Sequence, residues 1–101
     1  MANANQAISA LSDATRRAIF DQIAEGPKSV GEIAERLPVT RPAVSQHLKI
    51  LKEAELVADE AVGTRRVYRI DPAGLGQIRR WLDEKWERAL GDFKAAVEEG
   101  E

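Results

Sequence analysis

The stretch SVGEIAERLPVTRPAVSQHLKIL, residues 29–51, has the pattern of two short helices joined by a tight turn. Ser29 followed by Glu32 is a capping box, in which each side chain accepts a hydrogen bond from the backbone amide of the other residue. This pair fixes the start of the first helix. Pro38 cannot continue a helix, so the first helix is expected to end near Arg36. The sequence therefore predicts a helix-turn-helix.

The second helix of the pair combines an apolar stripe with a polar, basic face. Val44, Leu48 and Leu51 recur at i, i+4 and i+7, which places them on one buried side. The opposite face and the helix cap carry side chains that hydrogen-bond to base edges or phosphates: Thr40, Arg41, Ser45, Gln46, Lys49 and Lys52. Residues 36–52 hold four basic side chains and no acid, whereas an ordinary solvated helix face mixes both signs. We therefore expect this face to contact DNA.

The net charge of the whole chain argues against DNA binding, but the distribution of that charge favours it. The 101 residues include 15 Lys or Arg and 17 Asp or Glu, for a net charge of −2, and nucleic-acid-binding domains are usually basic. The positive charge is concentrated in two segments, residues 36–52 and 61–70, and the segment between them is acidic. Positive charge confined in this way steers an anionic polymer to one face.

The rest of the chain is expected to complete one domain, residues 1–101, because a chain of this length can bury a core of its own. Its predicted segments are a frayed N-terminus (1–5), two helices before Gly26-Pro27, the helix-turn-helix (29–53), a two-stranded antiparallel hairpin or wing (56–70) and a last helix (72–98). This is a mainly α architecture of about five helices with a small β-hairpin, a winged helix-turn-helix.

The last helix has more apolar surface than a small domain can cover. Its stripe and two residues of the first helix form the predicted dimer interface: Ile8, Leu11, Trp81, Leu82, Trp86, Leu90 and Phe93. A two-fold axis would cover this surface with one repeated patch. An alternative for Trp81 and Trp86 is a ligand pocket between subunits.

Several classes of function are not expected. The chain has no cysteine, and its single histidine, His47, has no second nitrogen or sulfur ligand nearby, so we predict no metal site and no cofactor. Ser45 has no base to activate it, so we expect no enzymatic activity. No apolar run approaches the ~20 residues of a membrane span, and the N-terminus lacks signal-peptide features. A cytoplasmic protein is predicted.

Several motifs in this order closely resemble the ArsR/SmtB family of bacterial transcriptional regulators. They are LSDATRRAI (11–19), GPKSVGEIA (26–34), PAVSQHLKIL (42–51) and GTRRVY (63–68). The resemblance covers roughly residues 8–72. It implies a homodimeric repressor, with dimer contacts from the first and last helices, that leaves its operator when an inducer binds.

The chain departs from the founding members of that family, which sense metals through cysteines in the third helix or through Asp, His and Glu in the last. Gly31 and Ile33 stand where the thiolates would lie. Metal sensing is therefore not expected. Three alternatives are open for the effector: an apolar small molecule bound between the last helices, a partner protein, or no effector at all.

The predicted function is sequence-specific binding to double-stranded DNA, as a homodimeric repressor of an inverted-repeat operator. The predicted DNA-binding residues are Thr40, Arg41, Ser45, Gln46, Lys49, Arg65 and Arg66. An alternative role for the wing arginines is to prevent association of strands between molecules, since charge on an exposed strand blocks edge-to-edge association. The alternative function is a winged helix that binds a protein partner without specific DNA binding.

Overall fold

The computed structural model describes residues 2–100 and has five helices and a small sheet, which confirms the predicted mainly α winged-helix fold. In chain order the elements are α1 Ala4–Ala10, α2 Ala14–Ala24, β1 Lys28–Ser29, α3 Val30–Arg36, α4 Arg41–Glu53, β2 Val57–Val62, β3 Arg65–Ile70 and α5 Pro72–Glu99.

Side-chain caps set the helix starts. The Ser29 hydroxyl accepts from the Glu32 amide at 3.3 Å, and the Glu32 carboxylate accepts from the Ser29 amide at 3.1 Å, so the predicted capping box of α3 is confirmed. Thr40 caps α4 by accepting from the amide of Ala43 at 3.3 Å. Pro42 lies in the first turn of α4, where its missing N–H costs nothing.

The sheet has three antiparallel strands in the order β1-β3-β2, whereas the sequence predicted a two-stranded wing. The hairpin itself pairs from Val57 opposite Ile70 to Val62 opposite Arg65. Gly63 turns the chain with a φ of +64°, in the left-handed region that glycine adopts at little cost. The additional strand, β1, pairs with the middle of β3 and has only two residues, too few to show an alternation in the sequence.

The core lies where α2, α3 and α4 meet the base of the hairpin. The large side chains with almost no exposed surface are Ile19, Ile23, Ile33, Val44, Leu48, Leu51, Leu56 and Val57. Because the apolar stripe of α4 is fully used in this core, its polar side must face outward.

The N-terminal segment is ordered and packs on the end of α4. The prediction that residues 1–5 are frayed is therefore wrong for residues 2–5. Residue 1 lies outside the described residues. Asn3 caps α1 by accepting from the amide of Gln6 at 2.9 Å. The amide of Ala2, a buried residue, donates to Glu55 Oε1 at 3.2 Å. Such contacts between distant residues leave no local pattern in the sequence.

The last helix has 28 residues, and only its first two turns pack closely on the body. Asp71 caps it by accepting from the amide of Ala73 at 2.9 Å. Gly74 is buried, and every residue from 79 to 100 is exposed. None of the helices within residues 2–100 is long and apolar enough to cross a membrane.

Candidate nucleic-acid interface

The polar side of α4 is open to solvent along its length. Arg41, Ser45 and Lys49 are exposed and follow one another at i, i+4 and i+8, so they lie along one row, and Gln46 is exposed beside it. Thr40 is exposed at the start of the helix, where its hydroxyl oxygen serves as the cap. The structure thus places the four predicted α4 residues and the cap residue Thr40 on one accessible surface.

The side chain of Arg41 is exposed, and its guanidinium lies against the start of α3. A Cβ built on Gly31 would come within 3.0 Å of Arg41 Nη2 and 3.3 Å of its Cζ. Gly31 therefore leaves the space that the guanidinium occupies. In the sequence this glycine was notable only as a position without a cysteine, so its relation to Arg41 was missed.

Arg41 shares a groove with the two predicted arginines of the wing. The groove has a volume of about 440 Å³ and is lined by Ser29, Val30, Gly31, Glu32, Glu35, Arg41, Arg65 and Arg66. Arginines from two separate elements, α4 and β3, therefore line one open depression. Guanidinium groups bind both phosphate oxygens and guanine edges, and the same groove also holds the carboxylates of Glu32 and Glu35.

Arg65 is held by the capping box of α3. Its guanidinium donates to the carboxylate of Glu32 and, at 3.2 Å, to the hydroxyl of Ser29. The pKa of Glu32 lies below its usual value because Ser29 donates to the carboxylate, with a smaller contribution from the positive charge of Arg65. This arrangement links the wing to the first helix of the helix-turn-helix.

Arg66 and Lys52 are held by one carboxylate, that of Asp59 on β2. Lys52 Nζ lies 2.8 Å from Asp59 Oδ1, and Arg66 Nη1 lies 2.8 Å from Oδ2. Hydrogen bonds from Lys52 and then Arg66 lower the pKa of Asp59, although burial of the carboxylate opposes this shift. A single carboxylate therefore joins the C-terminal part of α4 to the wing.

Asp59 was missed as a functional candidate. The β2–β3 register explains the contact: Arg66 lies opposite Ala61, and Asp59 is two positions from Ala61 on the same face. Such diagonal neighbours are within reach of long side chains. The sign in the sequence was thus an acidic residue in a basic hairpin, and its partner can be identified only when the strand register is known.

The third wing arginine is also paired, since Arg69 Nη1 lies 3.4 Å from Glu60 Oε1. Each hairpin arginine therefore has a carboxylate partner in the free protein. A phosphate bound at the wing would therefore have to share or replace these carboxylate partners.

His47 lies on α4 away from the exposed row and is half-buried. Its Nδ1 atom is buried and has no hydrogen-bond partner within residues 2–100. Over the same residues, no group of three or more His, Cys, Asp or Glu side chains is placed to hold a metal ion.

The apolar residues predicted for the dimer interface lie mainly on the part of α5 that leaves the body. Their exposed fractions run from 39% for Trp81 to 69% for Phe93, with Leu82, Trp86 and Leu90 between. Ile8 is half-buried on α1, which packs against α5, whereas Leu11 contacts the core. One protomer therefore leaves a long apolar stripe uncovered on α5.

Comparisons with known proteins agree with this geometry. Residues 11–60 match a family profile described as a helix-turn-helix domain. The chain is 54% identical over 94 residues to the HTH-type transcriptional regulator Rv2034 of Mycobacterium tuberculosis, covering 93% of this chain and 88% of that protein. It is 36% identical over 78 residues to the transcriptional repressor SdpR of Bacillus subtilis, covering 77% and 87%.

The fold also resembles a solved homodimeric winged helix-turn-helix DNA-binding domain, that of Mb0332 from Mycobacterium bovis, described as a possible ArsR-family transcriptional regulator. The TM-score is 0.65 with 30% sequence identity, and the match covers 87% of this chain and 77% of that one.

Proposed function

Because the chain belongs to the ArsR/SmtB family of winged-helix transcriptional regulators, we propose that it is a homodimeric repressor that binds an inverted-repeat operator in double-stranded DNA. The observation that carries this proposal is the exposed row of α4, flanked by a groove whose lining includes Arg41, Arg65 and Arg66.

In this proposal α4 is the recognition helix. Recognition helices of this kind place their N-terminal residues against base edges in the major groove. Arg41, Ser45 and Gln46 stand in the first half of α4 and would read bases, whereas Lys49 and the wing arginines would contact phosphates. The working segments would be residues 29–53, the wing at 56–70 and the dimerisation helix at 72–98.

The second protomer covers the apolar stripe of α5 in this proposal. The relative from Mycobacterium bovis is described as homodimeric, and an isologous two-fold interface is the commonest solution for one repeated patch. Two recognition helices related in this way would enter successive major grooves about 34 to 36 Å apart. The operator would then consist of two inverted half-sites one helical turn apart.

Selection from a randomised pool of short duplexes tests the proposal. We expect the enriched duplexes to share an inverted repeat with half-sites centred ~10 base pairs apart, and we expect log affinity to fall linearly with log salt. A scrambled duplex of the same length and composition is the control. If the pool yields no preferred sequence, the protein is not a specific DNA binder.

A second candidate function is protein binding through the winged helix, and one observation favours it: the three wing arginines already have carboxylate partners. A protein partner would make such a surface useful without phosphate contacts. The same selection separates the two functions, because a protein-binding module would enrich no sequence and would show weak, salt-sensitive binding to any duplex.

A further inference from the structure

The carboxylate of Asp59 lies between α4, the proposed recognition helix, and the wing. Each of its oxygens receives one cation at 2.8 Å, Lys52 on Oδ1 and Arg66 on Oδ2. The Asp59 side chain is only 8% exposed, whereas those of Lys52 and Arg66 are more than half exposed. The acid is therefore covered by the two cations that it holds, and the cations still reach the solvent side.

The other acids of this surface do not combine these properties. Glu32 pairs with Arg65, but its side chain is 43% exposed and it already caps α3. Glu60 and Arg69 form an exposed pair at 3.4 Å, and exposed pairs of this kind contribute little to stability. Among the acids that form ion pairs within residues 2–100, Asp59 is the one that joins two basic residues, and these come from two elements of the candidate DNA surface.

We propose that Asp59 determines specificity by positioning: it fixes Arg66 and Lys52 relative to each other and withholds one positive charge from DNA phosphates. Without it, the protein would bind arbitrary DNA more tightly and distinguish its operator less well. This inference rests on the proposed function, because it concerns how that function is made selective.

Binding to arbitrary DNA and binding to the operator depend on different contacts. Binding to arbitrary DNA depends almost entirely on phosphate neutralisation, so one withheld charge weakens it directly. Binding to the operator also draws on base contacts, which require the recognition helix and the wing to keep a fixed relative position. Asp59 therefore weakens binding to arbitrary DNA more than binding to the operator.

The test uses Asp59→Asn, which keeps the shape of the side chain and removes its charge. The matched control is Glu60→Gln on the same strand, which changes the net charge equally but releases only Arg69. Affinity is measured by fluorescence anisotropy for the selected operator and for a scrambled duplex at several salt concentrations. Circular dichroism confirms that both variants fold.

For Asp59→Asn we expect the salt slope on the scrambled duplex to steepen by about one unit per subunit. We also expect the ratio of operator to scrambled affinity to fall by ~5-fold or more, from a typical range of ~10³ to 10⁷. Glu60→Gln should keep this ratio within about 2-fold of the unmodified chain. These results together would support the role of Asp59.

Three results would count against it. If Asp59→Asn matches Glu60→Gln in slope and ratio, Asp59 has no special role. If both affinities of Asp59→Asn fall in parallel, the carboxylate serves folding alone. If Asp59→Asn does not fold, Asp59→Glu is measured instead, because it keeps the charge and displaces the carboxylate. For this variant, an unchanged salt slope with a lower ratio of operator to scrambled affinity supports the proposal. An unchanged ratio overturns it. A parent chain with no operator preference would instead refute the proposed function.

Discussion

The backbone amide of Gly74 donates to the carbonyl oxygen of Glu55 across 2.7 Å, which connects the first turn of α5 to the residues that follow α4. A Cβ built on Gly74 would lie 2.7 Å from the carbonyl oxygens of both Ala54 and Glu55. Glu55 itself has a φ of +57°, a left-handed conformation that a residue with a side chain adopts at some cost. The contact therefore depends on the missing side chain of Gly74.

We expect Gly74→Ala to lower the free energy of unfolding by about 1 to 3 kcal/mol, because the new methyl group meets rigid backbone. Gly76→Ala is the matched control in the same helix: the atom nearest its new Cβ is Arg80 Nη1 at 3.7 Å, an ordinary contact. The control should be neutral or stabilising by up to about 1 kcal/mol. Urea unfolding measures both, and equal stability of the two variants would contradict the steric argument.

Replacing Arg41 or Gln46 by Ala should weaken operator binding by about 1 to 3 kcal/mol each and relax the preference at one position of each half-site. Both side chains lie on the exposed surface of α4, where base edges would be read. Arg88→Ala is the control, since this exposed arginine lies on α5, outside the groove and outside the two basic segments. Binding to a panel of single-base operator variants measures the effect. Equal losses on every duplex would assign the residue to phosphates.

The double substitution Leu82→Arg with Phe93→Glu should give a folded monomer with most operator affinity lost, although neither residue would touch DNA. Charged side chains on the exposed apolar stripe prevent a second copy from covering it. Glu84→Arg with Arg88→Glu is the control, because it introduces the same residue types on the opposite side of α5 at the same net charge. Light scattering gives the mass. A double variant that stays dimeric would place the interface elsewhere.

Stability should decline as the pH falls below the ordinary carboxyl values of 3.8 for Asp and 4.5 for Glu. The pKa values of Asp13, Glu32 and Asp59 are lowered in the folded chain, chiefly by hydrogen bonds from Arg16, Ser29 and Lys52 respectively. A lowered folded pKa gives stability that is present above the unfolded value and is lost as pH falls through the folded one. Urea midpoints from pH 7 to about pH 3 test this. Asp59→Asn should show a shallower decline than the parent chain, and an identical decline would rule out a contribution from Asp59.

Stoichiometric zinc, cadmium, cobalt or arsenite should leave operator affinity unchanged. These species need several nitrogen or sulfur ligands in a closed arrangement, and the chain has no cysteine and one histidine. Anisotropy with and without the added species, and with a chelator as control for zinc, cadmium and cobalt, measures the effect. Release of the operator near one equivalent would overturn this prediction.

The helix-turn-helix could be read from the sequence because its determinants are local. Ser29 and Glu32 lie within one turn of each other, and Pro38 acts on its immediate neighbours. The third strand, the anchoring of Ala2 on Glu55, and the carboxylate of Asp59 between two cations could not be read in this way. Each depends on residues brought together by the tertiary fold or by the register of the hairpin, and a single sequence does not state that register.

The uncovered stripe on α5 also has a consequence for how the protein responds to its own abundance. In the proposed dimer a second copy covers the exposed side chains from Trp81 to Phe93, so the amount of dimer rises with the square of the amount of chain while the chain is dilute. Operator occupancy should therefore rise more steeply than in proportion to the number of chains per cell. A dimeric repressor acting on its own gene would then hold its copy number within a narrow window.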